Sequence, residues 1–572
     1  MSGPGNDPRD LEGVSRRRVL GMAGAAAGAA LGTGALTACS ARTGSQVPHG
    51  DVKDLRLPTQ ATPSPVPGQV VSRTAGVPAA FTRYPQPYRS VSGTPGRGGT
   101  VTTFQVTYTP PPPADNRWAD ELDKRLGVHI KPTLVSPADL AQKTATVIAG
   151  GDIPDLFYLN TATGQAPAAA QSVLQGAFTD LTDYLSSDAV RDYPNLALFP
   201  SYAWRNSSVE GRIYGVPRPE PLLQSGIPTL RLDWMRKLGM TAQPANADEM
   251  FAMLTGFSGK DPNGNGKKDT WALSSLQVYW QSTPILNMFG VPNNWRLAKD
   301  GTLTKDIETD EFEAATEFIV KLWKAGAFHP GAAANTYDQQ MALWNAGKIG
   351  MSGAALNTTY LPDVPPIPGV RNWATDLGPL IAPGHDGGTA ALYQSSGIFG
   401  MFAIPAKVGT SAKGRERVKE LLRILDYLGA PFGSEENTFL TYGIEGWNYD
   451  LTHGIPVKST NTARRAELAG QYFCEPTETV LYLPGPPNMS VTAQQQAEKL
   501  IPHTVADPTV NLISQSSVAK GPALQQNLND AFVGIVTGRK PLSALKQLRS
   551  QWAAQGGDAI RREFQQSLAK SR

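Results

Sequence analysis

The stretch GTVTTFQVTYTPPPPADNRWADELDKRLGVHI, residues 99–130, decides the fold class of this 572-residue chain. Its opening residues, 99–106, are rich in β-branched and aromatic side chains that alternate in polarity, which predicts a β-strand. Residues 118–126 predict a helix and residues 128–130 a second strand. Strand, helix and strand in this order indicate a parallel α/β unit. The helix prediction depends on apolar side chains at i, i+4 and i+8, which share one helix face: Trp118, Leu122 and Leu126.

Length, charge and cysteine content exclude several classes of protein. A chain of 572 residues predicts two to four domains or one large two-lobed body, and an apolar fraction of 40% allows a substantial core. The formal net charge is +3, without the basic surplus that nucleic-acid binding needs. The sequence has 2 cysteines, Cys39 and Cys474, so we expect neither a disulfide scaffold nor a cysteine-rich metal site.

A second helix is expected over about residues 137–149, before the turn 150–155 and the apolar run 156–159. The segment IAGGDIPD, 148–155, resembles the turn that follows this helix in extracellular solute-binding proteins (family 1) of ABC sugar importers. Within that family the likeness is greatest to the lipoprotein type, which includes the alginate-oligosaccharide-binding proteins. Further motifs carry the resemblance, in order, to the end of the chain: GAFTDLT 176–182, GRIYGVP 211–217, LRLDWMRKLG 230–239, YGIEGWNY 442–449 and TGRKP 537–541.

The resemblance implies an α/β, two-lobed periplasmic-binding-protein-like fold (type II), in which discontinuous lobes are joined by a hinge of several crossings. It places the crossings near residues 218–230, 380–400 and 440–460. The expected segments are a signal peptide at 1–38, a tether at 39–98, the N-lobe at 99–222 and 386–450, and the C-lobe at 223–385 and 451–572.

The N-terminus has the pattern of an export signal. Residues 15–20, SRRRVL, precede an Ala/Gly-rich apolar run that ends at Cys39. Consecutive arginines and a mild apolar run resemble a twin-arginine (Tat) signal. LTAC at 36–39 resembles the lipobox of bacterial lipoproteins, which implies lipidation of Cys39 and a place on the outer face of the cell membrane. The alternative is a membrane-spanning anchor over 19–38. The Pro/Ser/Thr/Gly-rich stretch after Cys39 predicts a semi-stiff spacer without a core.

A calcium-binding loop is predicted at DPNGNGKKD, residues 261–269. Oxygen-bearing side chains at relative positions 1, 3, 5 and 9 around a glycine at position 6 match an EF-hand loop, in which position 7 supplies its carbonyl oxygen. The EF-hand glutamate at position 12 is replaced by Ala272. A metal-free Gly/Asn-rich turn is the alternative. The predicted ligands of a structural calcium ion are Asp261, Asn263, Asn265, Lys267 and Asp269.

Sugar receptors need aromatic platforms together with planar hydrogen-bonding side chains. Aromatic residues in predicted loops, and charged residues near the implied crossings, are the candidates. Core packing is the alternative for each aromatic, and a structural ion pair is the alternative for Arg218 and Glu220. A guanidinium at a crossing would also suit a uronate carboxylate. The predicted ligand-binding residues are Tyr214, Arg218, Glu220, Trp280, Trp295, Tyr393, Tyr442, Glu445 and Trp447.

Neither a nucleophile elbow, nor a phosphate-binding loop, nor a zinc-protease motif occurs in the sequence. We therefore expect a protein without enzymatic activity. The resemblance implies a monomeric substrate-binding lipoprotein that captures an oligosaccharide and delivers it to an ABC permease. An extracellular hydrolase or lyase stays open as an alternative, because paired carboxylates can lie far apart along a chain. A binder of a peptide or lipid on the same scaffold is a third possibility.

Overall fold

The structure is a computed structural model, and it describes residues 55–137, 139–160, 167–223, 228–277, 282–355, 367–469, 480–482, 488–510, 512 and 514–571. The signal peptide, Cys39, Trp280 and Cys474 lie outside this part of the chain. Within it, none of the helices combines the length and the apolar character needed to cross a bilayer.

The strands are β1 Gln69–Val70, β2 Ala79–Phe81, β3 Thr100–Val106, β4 His129–Val135, β5 Leu156–Leu159, β6 Gly215–Pro219, β7 Pro228–Arg231, β8 Trp295–Leu297, β9 Leu303–Lys305, β10 Met351–Ala355, β11 Leu377–Pro379, β12 Leu392–Tyr393, β13 Ile398–Ala403, β14 Tyr449–Thr452, β15 Ile455–Lys458, β16 Val480–Leu481 and β17 Thr504–Val505.

The α-helices are α1 Arg117–Leu126, α2 Leu140–Gly150, α3 Pro167–Leu174, α4 Thr182–Leu185, α5 Ser201–Ser207, α6 Leu232–Lys237, α7 Ala247–Gly259, α8 Thr283–Met288, α9 Asp310–Lys324, α10 Tyr337–Asn345, α11 Trp373–Asp376, α12 Ala406–Gly409, α13 Gly414–Leu428, α14 Glu435–Tyr442, α15 Thr462–Ala466, α16 Met489–Leu500, α17 Gln515–Val536, α18 Ala544–Trp552 and α19 Asp558–Ser571.

The predicted strand–helix–strand unit is confirmed. Helix α1 begins where the side chain of Asn116 accepts a hydrogen bond from the Ala119 N–H, and it ends at Gly127, whose φ of 67° is typical of a glycine helix cap. The three predicted apolar side chains of this helix are buried. Strand β3 pairs in parallel with β4 on one side and with β5 on the other.

A five-stranded sheet with the order β4-β3-β5-β13-β6 forms the centre of the N-lobe. Strand β13 runs antiparallel to both β5 and β6, so β3, β4, β5 and β6 all point the same way. At the edge where β3 and β5 begin, the Asp155 carboxylate accepts hydrogen bonds from the backbone N–H and the hydroxyl of Thr102 (2.9 and 3.0 Å). Asp155, the last residue of the IAGGDIPD segment, thus ties the start of β5 to β3.

The C-lobe has its own core around an antiparallel sheet with the order β10-β7-β11. Side chains of α7, α9, α17 and α18 pack on one another and on this sheet. Trp234, Phe257, Phe312 and Phe532 are almost fully buried there. The two lobes therefore have separate hydrophobic cores, which is the two-lobed α/β fold predicted from the sequence.

Three stretches of the described chain pass between the two cores. The chain leaves the N-lobe core after Val216 and enters the C-lobe core at Leu230. It returns between Tyr393 and Met401. The expectation of a third passage at 440–460 is wrong, because Leu468 still packs in the N-lobe core. Among the residues described after it, the chain meets the second passage at β17.

Residues 55–98 do not form the coreless tether predicted for 39–98. We call this segment the strap. Strands β1 and β2 pair with each other inside it, and Ala80, Phe81 and Tyr84 are buried. Its Pro- and Gly-rich composition excludes a core of its own, yet Phe81 and Tyr84 pack against Phe432 of the N-lobe.

Candidate functional site

The strands β3, β5 and β6 end at one edge of the N-lobe sheet, next to the passages between the lobes. Ligands of open α/β sheets bind outside the carboxyl ends of parallel strands. Tyr108 follows β3, Arg218 lies near the end of β6, and Phe399 lies near the start of the antiparallel strand β13. These three residues form what we call the ledge.

The ledge presents aromatic surface beside a positive charge. The ring centroids of Tyr108 and Phe399 are 6.1 Å apart, and the guanidinium carbon of Arg218 is 4.6 Å from the centroid of the Phe399 ring. Tyr108 is 45% exposed. An exposed aromatic ring can stack on the C–H face of a sugar, while a guanidinium donates hydrogen bonds to hydroxyl or carboxylate oxygens.

A bulge in β13 sets the position of Phe399. The pairing with β6 shifts register between Ile398 and Gly400, so Phe399 has no opposite residue in β6. Gly400 has a φ of 154°, and a β-carbon there would lie 2.6 Å from the ring of Tyr158. The hydroxyl of Tyr158 donates to the carbonyl oxygen of Phe399 at 2.5 Å. The bulge is therefore held from the neighbouring strand.

Arg218 and Glu220 lie where the chain leaves the N-lobe. The backbone N–H of Glu220 donates to the carbonyl oxygen of Gly397 (2.9 Å), and its own carbonyl oxygen accepts from the Tyr202 hydroxyl (2.9 Å). Burial, followed by the charge of Glu220, raises the pKa of Tyr202, so this hydroxyl stays a donor at neutral pH. The backbone of Glu220 thus belongs to the hinge.

The passages between the lobes are joined by hydrogen bonds into one hinge. The Ser395 N–H donates to the carbonyl oxygen of Leu222 (2.8 Å), and the Gln394 N–H donates to that of Val505 (3.0 Å). From the C-lobe, the side-chain amide of Asn293 donates to the carbonyl oxygens of Gln394 and Val505, both at 2.9 Å. A change of angle at one passage must therefore move the others.

Four predicted ligand aromatics are packed inside the protein. Trp295 is 3% exposed and contacts Trp552 and Phe564, and Tyr393 is 7% exposed in the same C-lobe core. Tyr214 lies in the N-lobe core. Tyr442 packs against Tyr84 in a smaller aromatic cluster. Burial raises the pKa of both Tyr214 and Tyr393. Side chains this deeply packed offer a ligand little surface, and we omit them from the candidate set.

Glu445 and Trp447 do not lie at a passage between the lobes. They belong to the loop between α14 and the hairpin β14–β15, on the N-lobe. The guanidinium carbons of Arg117 and Arg464 are 3.9 and 4.1 Å from the centroid of the Trp447 ring. Two groups this close to one centroid need opposite faces of the ring, so Trp447 has no free face for a sugar. Its indole N–H donates to the carboxylate of Glu467 (3.0 Å).

The predicted calcium loop has a compact conformation. The Asp261 carboxylate accepts from the backbone N–H groups of Asn265 (3.1 Å) and Gly266 (2.8 Å), and Gly266 has a φ of 75°. The side-chain amides of Asn263 and Asn265 both donate to the same oxygen of Asp269 (3.3 and 3.1 Å). These amide hydrogen bonds, Asn265 first, lower the pKa of Asp269. The four predicted side chains therefore lie together around one small region.

The donor set of this loop suits calcium only in part. It offers two carboxylates, two amide oxygens and the Lys267 carbonyl oxygen, all of which calcium accepts. Ala272, at the EF-hand glutamate position, is fully buried, and the neighbouring Thr270 is 1% exposed. Within the described residues, clusters of three or more His, Cys, Asp or Glu side chains placed for a metal do not occur.

A lobed α/β body with its candidate ligand site beside a multi-stranded hinge defines the class of solute-binding proteins. Residues 117–384 match the model of a family described as bacterial extracellular solute-binding protein. The predicted resemblance to extracellular solute-binding proteins is thereby confirmed over these residues.

Two curated relatives, both from Bacillus subtilis (strain 168), extend over most of the chain. The polygalacturonan/rhamnogalacturonan-binding protein YtcQ is 24% identical over 486 residues, which are 82% of this chain and 91% of the relative. Lipoprotein LipO is 25% identical over 505 residues, 83% of this chain and 94% of the relative.

Solved structures show the same fold. An HMO binding, ABC-transporter associated solute-binding protein from Bifidobacterium longum infantis ATCC 15697 superposes with a TM-score of 0.59 at 17% identity, over 83% of this chain and 99% of that one. The Streptococcus pneumoniae protein FusA, as an EF-hand mutant in complex with fructo-nystose, superposes with a TM-score of 0.56 at 17% identity, over 82% of this chain and 99% of that one.

Proposed function

We propose that this protein is the substrate-binding component of an ABC importer and that it captures an oligosaccharide between its lobes for a membrane permease. The observation that carries the proposal is the position of the ledge. Aromatic rings and a guanidinium lie at the carboxyl edge of the N-lobe sheet, directly beside the hinge. The names of YtcQ and the Bifidobacterium protein, both carbohydrate binders, support the same ligand class.

The proposed mechanism needs no covalent chemistry. A sugar that contacts both lobes binds the closed arrangement more tightly than the open one, and the equilibrium shifts by that difference in affinity. The hinge converts the shift into a movement of one lobe against the other. The closed form then presents a different surface to the permease, whose partner subunits hydrolyse ATP.

Isothermal titration of the full chain tests the ligand class. We expect stoichiometric binding of a short oligosaccharide, with no change in its chain length after incubation. A panel of galacturonan, fructan and glucan oligosaccharides separates acidic from neutral ligands. Shortened products would instead support the hydrolase or lyase, and titrations without heat across the panel would contradict the proposal.

Among the predicted residues, Arg218 and Glu220 remain in the proposed ligand site, and Tyr108 and Phe399 join them. Trp280 stays a prediction because it lies outside the described residues. A guanidinium beside an aromatic surface suits either a hydroxyl-rich or a uronate-containing sugar. Of these two, the uronate would gain a charge-assisted, bidentate contact with Arg218.

We also propose a structural calcium ion at the 261–269 loop. Asp261, Asn263, Asn265 and Asp269 would hold it through side-chain oxygens, and Lys267 through its carbonyl. The bound ion would supply positive charge that holds these oxygens together, in place of the amide-to-carboxylate hydrogen bonds. The EF-hand named for FusA supports the assignment.

Thermal unfolding with and without calcium tests this site. We expect calcium to raise the melting temperature of the parent protein, since an ion that binds only the folded state stabilises it. Asp261→Ala should abolish the rise. Asp300→Ala is the matched control, because Asp300 also accepts a backbone N–H, from Thr302 (2.9 Å), in an exposed turn elsewhere. An equal rise in all three proteins would contradict the site.

We further propose export through the Tat pathway and lipidation at Cys39, with the protein held as a monomer on the outer face of the membrane. The extracellular family and the lipoprotein name of LipO support this placement. Cys39→Ala should move the protein from the membrane fraction to the medium, whereas Cys474→Ala should not. Replacing Arg16 and Arg17 by lysine should block export. Unchanged fractionation in the first and third variants would contradict the proposal.

A further inference from the structure

Both ends of the strap, residues 55–98, are tied to the N-lobe. Near its start, the Thr59 N–H donates to the carbonyl oxygen of Ser187 (2.9 Å), and the Ser187 N–H donates to that of Leu57 (2.9 Å). At its end, the N–H groups of Gly96 and Gly98 donate to the carbonyl oxygens of Leu126 and Gly127, both at 2.8 Å. Between these ends the strap crosses the surface near the hinge.

The middle of the strap contacts the first passage of the hinge. A β-carbon on Gly76 would lie 2.5 Å from Cδ1 of Leu222, and one on Gly397 would lie 2.8 Å from its Cδ2. The Leu222 side chain is thus packed between a glycine of the strap and a glycine of the second passage. Leu222 itself accepts the hydrogen bond of Ser395 that joins the two passages. The strap therefore touches the residue that links them.

The strap also holds the helix that leads into the third passage. The side-chain amide of Gln494, on α16, donates to the carbonyl oxygens of Val70 (2.8 Å) and Pro78 (2.9 Å), and it is 2% exposed. The Ser72 hydroxyl donates to the Glu498 carboxylate on the same helix (2.6 Å). Helix α16 ends four residues before β17, which pairs with β12 of the second passage.

We propose that the strap is a working part of the hinge and that its contacts set the free-energy difference between the open and closed arrangements of the lobes. The contact at Leu222 restrains the first passage, and the contacts on α16 restrain the third. Because both ends of the strap are fixed to the N-lobe, these contacts bias the hinge toward one angle. The inference rests on the proposed function, in which the lobes close on a ligand.

The proposal gives the N-terminal region a second role. The chain upstream of residue 55 carries the proposed lipid anchor, so membrane attachment and the hinge share one continuous segment. A pull at the anchor would reach the described chain first at Leu57 and Thr59, where the strap is tied to Ser187 of the N-lobe. Ligand affinity would then depend on the strap even though the strap itself does not touch the sugar.

A pair of matched glycine variants tests the proposal. Gly76 and Gly93 both have a φ of 80°, but a β-carbon at Gly93 meets nothing within 4 Å, whereas one at Gly76 meets Leu222. Gly76→Ala and Gly93→Ala therefore carry similar backbone strain, and the first alone pushes on the hinge. The readouts are hydrogen exchange of the Glu220, Gln394 and Ser395 amides in the full chain, and the Kd for the oligosaccharide found by titration.

We expect Gly76→Ala to speed exchange at the Glu220 and Ser395 amides by about tenfold over Gly93→Ala, and to change the Kd by about fivefold relative to that control. Equal exchange and equal Kd in the two variants would overturn the proposal. Exchange needs no ligand. If no sugar binds the parent protein, the proposed function fails, while the exchange comparison still decides the role of the strap.

A second pair keeps the test valid if Gly76→Ala does not fold. Ser72→Ala removes the hydrogen bond to Glu498, and Ser136→Ala removes a local one to Asp139 (3.0 Å). We expect faster exchange at the Gln394 amide, which pairs with Val505, only in Ser72→Ala. The same exchange rate in both serine variants would count against a link between the strap and the third passage.

Discussion

The ledge and the surroundings of Trp447 both combine aromatic rings with arginines on the N-lobe, but they differ in how the arginines lie on the rings. The guanidinium of Arg218 lies near the Phe399 ring, and the adjacent Tyr108 is 45% exposed. Trp447 has a guanidinium on each face. An aromatic residue is available to a sugar only if one face stays free, and residue type alone does not reveal the faces.

Asp426 of α13 makes the stability of the N-lobe depend on pH. Its carboxylate accepts the N–H groups of Asn195 (2.8 Å) and Leu196 (3.0 Å), but burial raises its pKa from 3.8 to about 7. A carboxyl group with a raised folded-state pKa stabilises the fold below pH 4, and this contribution is lost as the pH rises toward 7.

We therefore expect the free energy of unfolding to fall between pH 4 and 8 by up to about 4 kcal/mol through this group alone. Urea unfolding at several pH values measures it. Asp426→Asn, which cannot ionise, should flatten the dependence. The expectation is wrong if the parent and the variant show the same slope.

Trp447→Ala should cost stability and leave sugar affinity unchanged. The substitution removes the ring between Arg117 and Arg464 and leaves the Glu467 carboxylate without its indole donor, so we expect a loss of about 3 kcal/mol in the free energy of unfolding. Denaturant unfolding and titration calorimetry give the two numbers separately. A lower affinity with unchanged stability would return Trp447 to the ligand site.

The ledge should show the opposite pattern. Tyr108→Ala and Phe399→Ala remove aromatic surface beside Arg218, and we expect each to weaken binding by about tenfold, or about 1.4 kcal/mol. Leu451→Ala is the control, because Leu451 is a 50% exposed apolar side chain on the β14–β15 hairpin, outside both the ledge and the strap. Equal affinity in all three variants would contradict the ledge as the ligand site.

The smallest effect concerns the charge on the ledge. Arg218→Lys keeps the charge but loses the planar fork, so a uronate-containing ligand should bind about fivefold more weakly, and a neutral sugar nearly as before. Titrations with a matched acidic and neutral oligosaccharide measure the difference. Equal losses for both sugars would mean that Arg218 contacts hydroxyl groups instead of a carboxylate.

Local patterns predicted the elements of the first α/β unit closely. The helix expected at 118–126 spans Arg117–Leu126, because an i, i+4 spacing and a glycine cap are properties of neighbouring residues. The apolar run at 156–159 is strand β5. The prediction of a coreless tether over the strap was wrong for a physical reason. Composition shows that a segment cannot form its own core, but it does not show whether another surface will bury it.

The ligand site was harder to predict because it depends on which strands become neighbours. Tyr108 could have been found from the rule that ligand groups follow the carboxyl ends of parallel strands, since it lies two residues beyond β3. Phe399 could not, because the letters IFGMFA do not show the bulge at Gly400. Trp295 and Tyr393 looked like loop residues because their strands have only three and two residues.

Asp155 is the last residue of the IAGGDIPD segment that first indicated the resemblance. Its carboxylate accepts hydrogen bonds from Thr102 at the edge of the sheet opposite the hinge. A motif of this kind identifies the fold and carries no information about the ligand. A search for that octapeptide would therefore select proteins by a contact of the scaffold, and the ligand must be inferred from the side chains at the opposite edge of the sheet.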